Sequence, residues 1–387
     1  MESIPNRRVS PLKMTWSMAK KEWADLLGEL GQPTFRSKQI WQWLYAKGAQ
    51  SFDEMTNLPA ALRTALAERL SLAPWAPLET VADEGGTTKL LLECEDGERI
   101  ESVVIPSGGE AATLCVSTQA GCAFKCAFCA TGQLGLSRNL EAGEIVGQLF
   151  AARAATSFHI DHLVFMGMGE PFANYDNVLK AVRIFNDQDG LAIGARRITL
   201  STCGVVPGIK RLADEGLQVE LAISLHAPDD ALRSRLMPVN NRWPVAELIA
   251  ACRDYNAATR RIVTFEYTLV DGLNDTRLCA SALADLIDPS FARVNLIPLS
   301  PVAHFDGNRP SPARCEAFAA ILRRRGINVT LRHSKGSALS AACGQLRGER
   351  GKEGTGNGEQ GTEGRMWNCE NVETANSQCG NGGNGEQ

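Results

Sequence analysis

From Thr113 onward, short apolar runs alternate with longer amphipathic stretches. Brief runs rich in Val, Ile, Leu and Phe, bounded by turn-forming residues, are the pattern of strands covered on both faces. Six such runs stand out: Thr113–Ser117, Leu163–Met166, Ile198–Ser201, Val219–Ser224, Ile262–Leu269 and Val294–Pro298. Between them, Glu141–Ala155 and Asn177–Asn186 carry apolar residues at helical spacing. Strands that alternate with helices form a parallel sheet with helices outside it. Six units predict an α/β fold, a partial (β/α)6 barrel. In such folds the chemistry gathers at the C-terminal ends of the strands.

Upstream the pattern differs. Residues 14–75 read as a small helical domain. Trp16 to Leu30 is amphipathic, Gly31-Gln32-Pro33-Thr34 interrupts it, and Phe35–Tyr45 follows as an aromatic and basic segment. That segment fits either a small aromatic core or an RNA-facing surface using Arg36 and Lys38. Residues 76–110 suggest a linking hairpin: Thr88–Glu93 and Arg99–Pro106 flank Asp96-Gly97, a tight-turn pair. Residues 111–346 form the candidate core. Residues 347–387 form a tail; the last 40 residues hold 11 Gly with few apolar side chains, so disorder is expected there.

The 387 residues are 44% hydrophobic and 22% charged, in the range of folded soluble chains. No stretch approaches the ~20 apolar residues needed to span a bilayer, and residues 1–8 lack the apolar core of a secretion signal. A cytoplasmic protein with no membrane partner is expected. The net charge of −4 lies wholly in residues 349–387, with seven Glu against three basic residues, so the body is neutral. Residues 1–75 are mildly basic, with ten Lys and Arg against seven Asp and Glu. Local basic patches on a neutral body are compatible with RNA binding without demonstrating it.

Twelve cysteines are many for such a chain. Cys122-Ala-Phe-Lys-Cys126-Ala-Phe-Cys129 follows the first strand of the β/α array. In a reducing compartment such a cluster holds metal or does chemistry. A structural zinc site closes with four ligands, and no fourth Cys or His lies close downstream. Three thiolates would leave one iron of a four-iron cluster without a protein ligand, an open position that marks a catalytic site.

That spacing resembles the radical S-adenosylmethionine (SAM) superfamily. The flanking residues resemble one branch of it, the RlmN/Cfr family of RNA adenine methyltransferases. The motifs are Thr113-Leu-Cys-Val-Ser-Thr-Gln-Ala-Gly-Cys122, Gly167-Met-Gly-Glu-Pro171, Leu200-Ser-Thr202, Ser224-Leu-His-Ala227 and Ala341-Ala-Cys-Gly-Gln-Leu346, with Phe35–Tyr45 similar to the family's N-terminal motif. The resemblance covers residues 20–346.

The resemblance implies a 4Fe-4S cluster on Cys122, Cys126 and Cys129. It implies SAM contacts from Gly169, Glu170, Ser201, Ser224, Leu225, His226 and Ser300. The methyl acceptor is C2 or C8 of an adenine, ring carbons with no nucleophilic lone pair, so a radical is needed. The resemblance further implies two SAM molecules per turnover, in the following roles. One methylates Cys343; the other, cleaved by an electron from the cluster, gives a 5′-deoxyadenosyl radical that takes hydrogen from the S-methyl group. The carbon radical then adds to the base. Cys115 matches the sulfur that resolves the RNA–protein adduct by forming a disulfide, and Glu101 matches the family's proton acceptor. Implied partners are 23S rRNA at the peptidyl-transferase centre, tRNA next to the anticodon, and an electron donor such as flavodoxin or ferredoxin.

Taken alone, Cys115 reads as a core strand residue, His226 as structural and Glu101 as a solvated strand residue, while for Cys343 a buried structural thiol is the lesser alternative to a sulfur on a mobile loop. The chain departs from the family at Ser300, where Asn is usual, at Cys203, where Ser is usual, and at Ala338, where Asp is usual. Arg196-Arg197, Arg260-Arg261 and Arg323-Arg324-Arg325 are candidate phosphate contacts. Adenine-C2 methylation is the preferred activity. C8 methylation, a radical-SAM protein without methyl transfer, and a zinc-stabilised RNA-binding module without catalysis are the alternatives.

Overall fold

Ten strands pair in chain order into one sheet. They are β1 (Glu79–Ala82), β2 (Thr88–Glu93), β3 (Arg99–Gly108), β4 (Ala111–Cys115), β5 (His159–Phe165), β6 (Ile198–Thr202), β7 (Glu220–Ser224), β8 (Val263–Leu269), β9 (Ala292–Pro298) and β10 (Val329–Leu331). β1 to β4 run antiparallel and β4 to β10 parallel. The computed structural model describes residues 13–72, 75–332 and 339–348. Ala338 and the expected disordered tail beyond 348 lie outside the described residues.

All six expected strands are present, some shifted by a few residues, and a seventh parallel strand, β10, was not expected. β10 is only three residues long and none of them is fully buried, so its sequence carries little apolar signal. β8 is the opposite case: all seven of its residues are buried, the pattern of a strand covered on both faces. The expected hairpin is β2 and β3, with Leu91 opposite Glu101; β1 extends it.

Three helices precede the sheet: α1 (Lys20–Glu29), α2 (Arg36–Trp41), which runs on through Gln42–Ala46, and α3 (Ala60–Ala67). Their apolar faces meet in Trp23, Leu27, Ile40, Trp41, Leu44 and Leu66, all buried. The aromatic segment thus sends Ile40, Trp41, Leu44 and Tyr45 into the core. Phe35 stays exposed, with the Arg36 guanidinium over its ring, and Lys38 pairs with Asp189 at 2.9 Å.

Each parallel step is bridged by at least one helix. α4 (Ala130–Leu134) and α5 (Ala142–Ala155) lie between β4 and β5, α6 (Tyr175–Asn186) before β6, and α7 (Val206–Asp214) before β7. α8 (Asp230–Leu236) and α9 (Val245–Thr259) precede β8, α10 (Arg277–Leu286) precedes β9, and α11 (Pro312–Arg324) precedes β10. α5 is capped by Glu141, whose N–H donates to the Glu144 carboxylate at 2.8 Å, a capping box. The helical domain docks on α5 and α6: Trp16 stacks on Phe150 with ring centroids 4.3 Å apart, and Trp41 Nε1 donates to Asp187 at 3.1 Å. No described helix is long and apolar enough to cross a membrane.

Candidate active site

The strand ends and the segment 339–348 enclose a cavity of ≈ 150 Å³. Cys122, Cys126 and Cys129 line it. So do Gly169 and Glu170 after β5, Ser201 of β6, Ser224 and His226 at and beyond the end of β7, Ser300 beyond β9, and Cys343. A second cavity, ≈ 260 Å³, lies beside it, with Cys115, Arg332 and Cys343 in its wall and apolar sides that include Ile105, Val164, Met166 and Leu346. Cys343 lines both cavities.

The cysteine loop is built from short-range bonds. Gln119–Cys122 pairs antiparallel with Gly135–Asn139. Lys125 takes a left-handed φ of 50°, the Cys129 N–H donates to the Cys126 carbonyl at 3.1 Å, and the Ala127 N–H donates to Leu236 of α8 at 2.9 Å. Burial raises all three thiols, Cys122 to about 12, and Cys129 raises Cys126 further by proximity. Crowded buried thiols ionise when cations arrive to share the charge, which is the chemistry of an iron–sulfur cluster. Among the described residues, no three His, Cys, Asp or Glu side chains are placed to hold a single metal ion. Three cysteine sulfurs lining one cavity are the donor type that iron–sulfur clusters use, so the donor set fits the group that the sequence implies.

The approach to that loop is pinned to the end of β5. The Thr118 N–H donates to the Met168 carbonyl at 2.8 Å, and the Glu170 N–H donates to Gln119 Oε1 at 2.8 Å. Gly169 has φ +98°, and an added Cβ would lie 2.5 Å from the Gln119 side chain. Glycine here is required by this packing, a constraint that the motif alone did not reveal. Gln148 of α5, fully buried, completes the brace: its Oε1 accepts from Ser102 Oγ at 2.6 Å and from the Ser117 N–H at 2.8 Å, and its Nε2 donates to the Ser117 carbonyl at 2.8 Å.

Glu170 already serves the protein. Its Oε1 accepts from the Phe172 N–H at 3.0 Å and its Oε2 from the Cys203 N–H at 2.7 Å; burial still raises its pKa. Cys203, the unusual residue, thus contributes its main chain here, and its side chain also lines the first cavity. His226 has φ 58°. Its Nδ1 accepts from the Thr268 N–H at 2.9 Å, so a neutral ring carries its proton on Nε2. Burial, then the Arg233 charge, lowers its pKa to about 3. Leu225 lines neither cavity; its N–H donates to the Glu266 carbonyl at 3.0 Å and its carbonyl accepts from Arg233 Nε at 3.1 Å.

Cys115 is buried, and burial, reinforced by Cys343, lifts its thiol to about 12. Burial also raises Cys343, although its surface is open to the cavities, and the Arg332 guanidinium works against the shift in both. All described cysteines are free. Glu101 lines neither cavity. It is 2% exposed on β3, with Oε1 3.1 Å from Lys89 Nζ and Oε2 accepting the Arg347 N–H at 2.8 Å.

Several surface arginines named from sequence have acidic partners: Arg197 with Asp161 at 2.8 Å, Arg325 with Asp285 at 2.8 Å, Arg261 with Glu220, and Arg323 with Glu316. Sequence reasoning missed Glu266, Arg332 and Arg233. Glu266 did leave a signal, a lone carboxylate inside the apolar run 262–270. Arg233 left none: it is completely buried by α8 and donates to the carbonyls of Cys203, Ser224 and Leu225 and to Asn240 Oδ1.

Two sequence families match the chain: the Radical SAM superfamily over residues 116–282 and the ribosomal RNA large subunit methyltransferase N-terminal domain over residues 16–72. The chain is 49% identical over 335 residues to a probable dual-specificity RNA methyltransferase RlmN of Symbiobacterium thermophilum, covering 85% of this chain and 90% of that one. A protein of the same description from Akkermansia muciniphila is 41% identical, covering 89% and 98%. The crystal structure of a radical SAM methyltransferase from Sphaerobacter thermophilus superposes with a TM-score of 0.82 at 48% identity, covering 87% of this chain and 99% of that one.

Proposed function

Since the chain belongs to the RlmN family of radical-SAM RNA methyltransferases, we propose that it methylates C2 of an adenine in 23S rRNA, at the peptidyl-transferase centre, and of an adenine next to the anticodon in tRNA. The observation that carries this reading is the position of Cys343 in the walls of both cavities. A sulfur so placed can receive a methyl group from SAM in the first cavity and present it to a base in the second. When bound, the cluster and SAM supply the electron and the radical that activate the methyl group.

The remaining roles fall to this chain's own residues. Cys122, Cys126 and Cys129 hold the cluster. Gly169, Glu170, Ser201, Ser224, His226 and Ser300 surround SAM, with His226 offering its Nε2 proton as a donor. The apolar walls of the second cavity take the flat faces of an adenine that has left its stack. Cys115, in the wall of that cavity, attacks the Cys343 sulfur; the carbon–sulfur bond breaks, the methylated base leaves, and a cellular reductant later reopens the disulfide. Glu101 takes the ring proton once its present partners release it. The helical domain and the exposed Phe35–Arg36 pair add RNA contacts.

The deciding experiment is mass-spectrometric nucleoside analysis of 23S rRNA and tRNA from a strain lacking the native enzyme and carrying this chain. The expected product is 2-methyladenosine in both RNAs, with none from Cys343→Ala. Exclusive 8-methyladenosine, or methylation that survives Cys343→Ala, overturns the assignment. Protein isolated without oxygen is expected to hold about four iron per chain, with iron lost in Cys122→Ala, Cys126→Ala or Cys129→Ala.

A further inference from the structure

Glu266 carries an unused acceptor. Its carboxylate is 4% exposed within β8 and lines the first cavity. Oε1 accepts from Asn295 Nδ2 at 3.0 Å, whereas Oε2 is buried and has no hydrogen-bond partner. Its main chain is fixed, because the carbonyl accepts the Leu225 N–H at 3.0 Å. The cations that act on it are Arg332 and Arg293, and neither makes an ion pair with it; Arg293 instead binds Thr264 at 2.8 Å and Glu220 at 3.3 Å. Buried polar atoms are almost always satisfied, and an exception needs a physical account. A donor brought by a ligand supplies one here.

The position of Glu266 narrows the donor. Ser224 of β7 is its cross-strand neighbour and lines the same cavity. Cys343 shares that wall and is near enough for the Glu266 charge to act on it. Methyl activation on Cys343 would require C5′ of the adenosyl group to approach that sulfur, and the attached ribose would then lie in the part of the cavity lined by Ser224 and Glu266. The amino-acid end of SAM would be held on the cysteine side of the cavity, where Cys122, Cys126 and Cys129 would hold the cluster. Glu170, on that side, has both oxygens engaged.

We propose that Glu266 is a binding residue for the ribose hydroxyls of the adenosyl co-substrate, with Oε2 accepting a hydroxyl proton and Ser224 Oγ beside it. Carboxylates read ribose hydroxyls in the same manner in dinucleotide sites. The inference rests on the reading of this cavity as the SAM site.

The test measures equilibrium binding of S-adenosylhomocysteine and its 2′-deoxy and 3′-deoxy analogues to anaerobically reconstituted holoenzyme. Wild type should bind one deoxy analogue about tenfold or more weakly, the scale of a hydrogen bond to a charged group. Glu266→Gln should bind S-adenosylhomocysteine about tenfold more weakly and lose the discrimination to within roughly twofold. Wild type that binds all three ligands alike overturns the proposal without any variant, and so does a folded Glu266→Gln that keeps the discrimination. Wild type that binds none of them overturns the SAM-site reading itself, a distinguishable failure.

Discussion

A histidine with a positive φ and a silenced charge shows how much the interior constrains single side chains. His226 has a folded pKa of about 3, against ~6.5 for a free imidazole. Between those values the unfolded chain binds a proton that the folded chain refuses. Its contribution is therefore whole above about pH 6.5 and is lost as pH falls toward 3. His226→Asn, which tolerates the left-handed backbone, should flatten that part of the profile. The gap between the two proteins in urea titrations should change by up to about 1.4 kcal/mol per pH unit between pH 6 and 4. The residues legible in advance were those with a motif around them, such as Cys122 and Ser224. Arg233 and Arg332 were not, since an isolated Arg in a helix or strand end reads as surface until tertiary packing encloses it.

At the level of elements, strands buried on both faces announced themselves. β8 did so most clearly, while β10 was too short and too polar to register. The bracing of the cysteine loop was invisible for another reason: it depends on contacts between residues far apart in sequence, such as Gln148 with Ser117 and Gly169 with Gln119. Gly169→Ala should cost about 3 kcal/mol through its clash and its positive φ. Gly194→Ala, where an added Cβ meets nothing within 4 Å, should stay within about 0.5 kcal/mol of wild type; thermal denaturation compares the two. Gln148→Leu should lose about 2–3 kcal/mol by leaving the Ser117 N–H and carbonyl unpaired. It should also take up less iron under anaerobic reconstitution, because that strand leads into the loop.

For the molecule as a whole, the helical domain is attached through aromatic stacking and a ring of ion pairs around Asp187 and Asp189. Lys20 reaches both, at 2.7 and 2.9 Å, and Lys180 meets Glu22 at 2.6 Å. The ion pairs are partly exposed and contribute little, but Asp187→Ala also strips the buried Trp41 indole N–H of its acceptor, so it should cost about 2–3 kcal/mol while speeding protease cleavage between the helical domain and the sheet. RNA affinity should fall as salt rises from 50 to 200 mM, in proportion to the phosphates contacted; a salt-independent affinity would argue against RNA as the substrate. The docking of the helical domain could not be read from the sequence, because it joins residues far apart in the chain, such as Trp16 with Phe150 and Lys20 with Asp187.

Glu101 is already spoken for, since it secures the main chain of Arg347, four residues beyond Cys343. Glu101 lines neither cavity, so to take a proton from a base there it must shift, and a shift loosens its hold on Arg347 or on Lys89. In the proposed role, deprotonating the base and untying the peptide that delivered the carbon become coupled events. The exit of the product is then timed by the same carboxylate that kept the delivery arm in place.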